Sequence, residues 1–224
     1  MSGKGKDRFT EYAIEIEVQE NVTINGDLSI VEGAKGVVLF AHGSGSSRFS
    51  LRNRFVAAVL QRKRLSTLLI DLLTKNEEQI DLYTRKLRFD IPLLTSRVIA
   101  GTQWLQAGEQ TKNFRIGYFG ASTGAAATLA AAAGLGEQIF AIVSRGGRPD
   151  LAGPYLSSVK TPTLLIVGGS DFAVIDINRQ AAERLQAEKK LEIIPGATHL
   201  FEEPGALRHV ADLAAEWFVQ HLAN

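Results

Sequence analysis

Phe114–Ala132 reads FRIGYFGASTGAAATLAAA, and the fold follows from how this stretch divides. Phe114 to Phe119 is a short apolar run of strand type. Gly120-Ala121-Ser122-Thr123-Gly124 is an abrupt turn, and an alanine-rich helix follows it. The turn fits G-x-S-x-G, where a serine occupies a strained strand-to-helix corner with its hydroxyl raised above the sheet. Such a corner brings two backbones together, so side chains at Gly120 and Gly124 would collide. The serine must hold an unfavourable backbone conformation, at a cost of about 1–3 kcal/mol that its surroundings offset. A βα turn with a buried structural serine would read the same way, so the pentad needs support from the rest of the chain.

Outward from this stretch the pattern is regular. Strand-like apolar runs occur at Gly36–Ala41, Thr67–Asp71, Phe140–Ser144, Thr163–Gly168 and Leu191–Ile194. Amphipathic helical stretches lie between them, at about Leu51–Lys63, Pro92–Ala107, Thr123–Ala133, Ile175–Ala187 and Ala206–Leu222, with a short further helix at Asp150–Ser157. This alternation predicts right-handed βαβ crossovers and a mostly parallel sheet covered on both faces, an α/β fold. Thr10–Gln19 alternates apolar with acidic residues, as an edge strand does, and Val22–Ile30 is its expected antiparallel partner, with a turn or bulge at Asn25-Gly26. Thr74–Phe89 is a long, charged, poorly patterned connection, expected near the mouth of a site or as a surface excursion.

Composition narrows the function. The chain has 224 residues, 45% hydrophobic and 22% charged, which suits one globular domain over 1–224 with residues 1–8 frayed. A net charge of +1 gives no reason to expect nucleic acid or an anionic membrane as partner. Without cysteine there is no disulfide framework, thiolate metal site or cysteine nucleophile. MSGKGKDRF at the start has no apolar stretch behind its basic residues, and no run is long enough to span a membrane, so the expected setting is cytoplasmic. No metal or cofactor is expected, the partner being a small-molecule substrate. Oligomeric state is not legible.

In sheets of this kind, chemistry collects beyond the carboxyl ends of the strands. After Gly36–Ala41 comes His42-Gly43-Ser44-Gly45-Ser46-Ser47. It lacks the lysine of a P-loop and reads instead as an oxyanion loop, with the amides of Thr123 and Ser44 as donors and His42 supporting the loop. After Thr163–Gly168 comes Asp171, the expected acid. Asp176 is the alternative, although it also suits a helix cap. After Leu191–Ile194 comes His199, placed to lean back over Ser122, whereas His209 and His221 fall in the last helix and read as solvated or capping residues. Arg145 follows another strand, positioned either to hold an anionic substrate group or to pair with a carboxylate such as Asp150.

Three strand-end residues in the order Ser122, Asp171, His199 are far more specific than the pentad alone. With HGSGSS, GYFGASTG, VGGSD and GATHLFEEPG, the chain resembles the dienelactone hydrolase branch of the α/β-hydrolases over nearly its whole length. The resemblance implies an eight-stranded α/β-hydrolase sheet, a Ser–His–Asp triad and little or no lid, since the segment after Ser144 runs on quickly. Ser122 stands where dienelactone hydrolase proper carries a cysteine nucleophile, which moves the expected reaction from dienelactone itself toward other esters, lactones or thioesters. An acyltransferase using the same triad, or a non-catalytic binding protein on the same scaffold, are the alternatives.

Overall fold

The computed structural model describes residues 9–223, so the expected frayed segment 1–8 lies outside the described residues. Eight strands form one sheet: β1 (Phe9–Gln19), β2 (Val22–Val31), β3 (Gly36–Ala41), β4 (Ser66–Ile70), β5 (Arg115–Ala121), β6 (Ile139–Arg145), β7 (Thr163–Gly168) and β8 (Lys189–Ile194). Their order across the sheet is β1-β2-β4-β3-β5-β6-β7-β8. From β4 to β8 every neighbouring pair is parallel, and only β2 runs against both of its neighbours. This is the α/β-hydrolase fold.

The central strands read as unbroken apolar runs because the sheet feeds two cores. Tyr118 of β5 packs into the core under helices α3 (Ile91–Ala107) and α4 (Thr123–Leu135). Its neighbour Phe119 packs into the opposite core, under α1 (Leu51–Arg62) and α6 (Ala206–Leu222), with its ring 4.8 Å from that of Phe40. Alternate side chains point to opposite faces, and both faces are dry. Helix α5 (Phe172–Arg184) joins the first face through Ala181. It begins at Phe172, earlier than the expected Ile175, so Asp171 is the residue at its start. The stretch expected as a short helix is a 3₁₀ helix, Pro149–Ser158, into which the chain passes directly after β6.

Three expectations give way. Asn25-Gly26 is neither turn nor bulge: β2 runs straight through it, with Gly26 opposite Ile14, and the irregularity in the pairing lies between Glu17 and Gln19. The glycine is needed because Ile14 and Leu68 close over it, each 3.1 Å from where a Cβ would stand. Thr74–Phe89 is not an irregular connection. It forms helix α2 (Lys75–Thr84) and a 3₁₀ turn at Leu87–Phe89. A capping box starts α2, with Glu77 N–H donating to Thr74 Oγ1 and Thr74 N–H to Glu77 Oε2 at 2.7 Å. No apolar face announces α2 because the helix is inverted: Ile80, Leu82 and Tyr83 are exposed, and its buried residue is Asp81. Finally, His221 is buried rather than solvated, stacked on Trp217 with Nε2 3.3 Å from Glu188.

Candidate active site

Ser122 sits at φ 50° and ψ −119°, the left-handed region that a serine enters only under constraint. The constraint is visible in the backbone. Ser122 N–H donates to the Arg145 carbonyl at the end of β6 (3.2 Å), and the Ser122 carbonyl accepts from Ala125 and Arg148 (3.1 Å each). Gly124 completes the corner, since a Cβ there would lie 2.4 Å from the carbonyl oxygens of Ala41 and His42. The serine is thereby pressed against the loop that follows β3.

Asp171 and His199 are assembled by a second crossing of backbones. Gly169 N–H donates to Ile194 (2.8 Å) and Ser170 N–H to Ala197 (2.9 Å), which zips the loop after β7 to the loop after β8. Gly168 permits the approach, because a Cβ there would meet the carbonyl oxygens of Ala197 and Thr198 at 2.4 and 2.6 Å. His199 Nδ1 lies 2.7 Å from Asp171 Oδ2. A carboxylate only accepts, so Nδ1 carries the proton and Nε2 is left as the basic nitrogen. Although Asp171 stands at the start of α5, its carboxylate caps no amide there and is free for the imidazole. Asp176 lies on the surface beside Arg179.

Residues 145–146 lie next to both Ser122 and His199. The Arg145 carbonyl holds the Ser122 amide, and the ring of His199 lies 3.5 Å from the position of a Cβ on Gly146. No hydrogen bond joins the Ser122 hydroxyl to the imidazole among the described residues. Unliganded sites of this kind commonly carry a longer separation that tightens with substrate.

The two expected oxyanion donors line one cleft. Thr123 is the first residue of α4, where the helix supplies no acceptor for its N–H, and Ser44 N–H likewise has none among the described residues. His42 fastens this loop. Its Nδ1–H donates to the Gly43 carbonyl (2.9 Å) and its Nε2 accepts from Leu72 N–H (3.1 Å), which ties the end of β3 to the end of β4. Burial holds its pKa below the ordinary 6.5 and keeps it neutral, the state those two bonds require. The cleft itself, about 690 Å³, runs from these donors to α2. Among the described residues no group of three or more acidic or histidine side chains is arranged to hold a metal ion, and no helix is long and apolar enough to cross a membrane.

Arg145 is turned away from this cleft. Its side chain is buried beside Asn53 of α1 (3.5 Å), and burial together with neighbouring Arg52 lowers its pKa to about 10. Among the described residues it pairs with no carboxylate, and Asp150 belongs to Arg148 (2.7 and 2.9 Å). Other residues, to which the sequence reading gave no role, shape the surrounding loops. Thr198 donates to Glu203 (2.6 Å) across the His199 loop, in which Phe201 is buried at φ 56°. Asp71 anchors Arg48 on the oxyanion loop, and Asp81 anchors Arg88 under α2.

The comparisons bear on the family and the fold. The model of the dienelactone hydrolase family matches residues 54–221. The crystal structure of a dienelactone hydrolase from Anabaena variabilis is 60% identical, covers 95% of this chain and 98% of its own, and superposes with a TM-score of 0.93. A Pyrococcus furiosus esterase, 20% identical with 96% and 94% coverage and a TM-score of 0.74, shares the fold. Proteins of two Mycobacterium tuberculosis strains, named provisionally as phosphoribosyl transferase, are 53% identical over 203 residues, 91% of this chain. The chain spans only 45% of the length of those relatives. The family model over residues 54–221 and the 60%-identical structure of the same fold make this chain a member of the dienelactone hydrolase family.

Proposed function

We propose that the protein is a serine hydrolase that cleaves esters, lactones or thioesters of small molecules through an acyl-enzyme on Ser122. The observation that carries this reading is the Asp171–His199 hydrogen bond of 2.7 Å, and a serine in a strained left-handed corner supports it. Asp171 fixes the tautomer and steadies the imidazolium that forms. His199 Nε2 takes the proton from Ser122 as the hydroxyl attacks the carbonyl carbon, then returns it to the leaving alcohol. The carbonyl oxygen becomes an oxyanion facing the Thr123 and Ser44 amides, each donor supplying about 3–4 kcal/mol at the transition state. Water activated by the same imidazole then releases the acid and restores Ser122. A serine nucleophile depends strongly on the base, since an alcohol is barely ionised at neutral pH. Membership of the family supports the hydrolytic class. The transferase in the name of the longer relatives belongs, on this reading, to the part of them outside this chain.

Steady-state hydrolysis of p-nitrophenyl acetate tests the assignment. Ser122→Ala is expected to remove turnover while leaving the circular dichroism and melting temperature near wild type. Retained turnover in that variant rejects Ser122 as the nucleophile.

A further inference from the structure

Among the described residues, Arg145 is a cation held inside the protein without a carboxylate. Its side chain leaves the end of β6 toward α1, and the residue is 7% exposed. Nε and Nη1 are buried with no hydrogen-bond partner, and Nη2 reaches only the Asn53 amide oxygen, at 3.5 Å. A pKa lowered to about 10 still leaves the guanidinium charged at neutral pH. A buried ion without a counter-charge is costly, and an arginine does not escape that cost by losing its proton. An anion beside it would offset the charge.

The surrounding protein adds positive charge instead. Asn53 belongs to the first turn of α1, the positive end of that helix, and no acidic residue stands in that turn. Arg52 is its neighbour in the chain, and the Nε of Arg52 is likewise buried with no partner. Arg52 Nη1 meets Glu202 at 3.2 Å, but the Glu202 side chain is 66% exposed and lies on the solvent side. A buried unpaired arginine, a half-satisfied arginine and a helix N-terminus therefore come together at Asn53. The enclosure sets the size of the occupant. With Asn53 2% exposed, the place suits a small sphere rather than an organic arm or a tetrahedral oxyanion.

We propose that a small inorganic anion of the halide class binds between the Arg145 guanidinium and the first turn of α1, with Arg52 on its outer side. This inference does not depend on the hydrolase reading, because the side chain points away from the cleft. It does touch the same backbone. The Arg145 carbonyl accepts from Ser122 N–H (3.2 Å), so an anion that holds Arg145 steadies the strand end on which that corner leans.

Thermal unfolding in sodium chloride, against sodium gluconate at equal ionic strength, tests the proposal. Chloride is expected to raise the wild-type melting temperature saturably, by about 3–6 °C over gluconate at about 200 mM. Arg145→Met is expected to melt at the same temperature in both salts, and Arg52→Gln to need several times more chloride for half the rise. Phosphate at matched ionic strength is expected to do no more than gluconate. Wild-type crystals soaked in bromide are expected to show an anomalous peak within about 3.5 Å of the Arg145 guanidinium. Equal responses to chloride and gluconate, a chloride-specific rise undiminished in Arg145→Met, a larger effect of phosphate than of chloride, or no bromide peak at Arg145 each overturns the proposal. If Arg145→Met fails to fold, Arg52→Gln and the bromide map decide: an undiminished chloride response in Arg52→Gln, or a map without the peak, overturns it.

Discussion

In the proposed mechanism two histidines have opposite tasks, and their bonding separates them. His199 keeps one nitrogen free for chemistry, whereas both nitrogens of His42 are committed to backbone groups. Asp171→Asn leaves an acceptor and a donor where only an acceptor works, favours the wrong imidazole tautomer, and is expected to lower kcat by roughly 10³–10⁴-fold. Asp176→Asn is expected to change nothing. His42→Ala strips Leu72 N–H of its acceptor and frees the oxyanion loop, for an expected loss of about 1–3 kcal/mol of stability. Because that loop holds Ser44, kcat should fall more than KM rises. The pH dependence has a defined sign. The folded pKa of His42 lies below 6.5, so the unfolded chain takes up a proton that the folded chain refuses. The stability it contributes is present above that value and lost on acidification. His221, also lowered by burial, acts in the same direction. The informative quantity is therefore the difference: the fall in urea midpoint between about pH 7.5 and 5.5 should be shallower in His42→Ala than in wild type.

Among the elements, β5 and α4 were legible because the glycines and alanines of the corner leave few alternatives. The helix α2 was not. Its pattern is inverted, with Asp81 inside and Ile80 and Tyr83 outside, so hydrophobic periodicity carries no signal there; only Thr74 and Glu77 marked its start. The inversion has a measurable consequence. Asp81→Ala removes the acceptor of Leu87 N–H (2.8 Å) and of the Arg88 guanidinium, for an expected cost of about 2–3 kcal/mol. Ile80→Ser and Tyr83→Ser should each stay within about 0.5 kcal/mol of wild type in urea denaturation. In α4 the same contrast holds between two glycines. Gly124→Ala drives a methyl group into two carbonyl oxygens and is expected to prevent stable folding. Gly134→Ala meets nothing within 4 Å and is expected to stabilise the protein by about 0.5–1 kcal/mol.

Across the whole molecule, the strand ends that the sequence marked as chemical do converge, since β3, β5, β6, β7 and β8 are parallel neighbours and deliver their following loops to one rim. Strand order and the meeting of Asp171 with His199 depend on long-range pairing that no local pattern encodes. The direction of the Arg145 side chain was equally out of reach, for a strand-end residue can face either core and the alternation decides it only once the register is known. The two cores share the sheet, and we expect them to unfold together. Trp104 packs against one and Trp217 lies in the other. Urea transitions followed by fluorescence in Trp104→Phe and by fluorescence in Trp217→Phe should each coincide with the transition followed by circular dichroism, whereas separate midpoints would indicate two units.

The most direct test of the proposed chemistry is covalent. Intact-mass spectrometry after brief exposure to a fluorophosphonate at neutral pH should show one adduct per chain, mapped to Ser122, absent in Ser122→Ala and strongly slowed in His199→Ala. An unlabelled wild-type protein, or an adduct that forms equally fast without the imidazole of residue 199, would contradict the account.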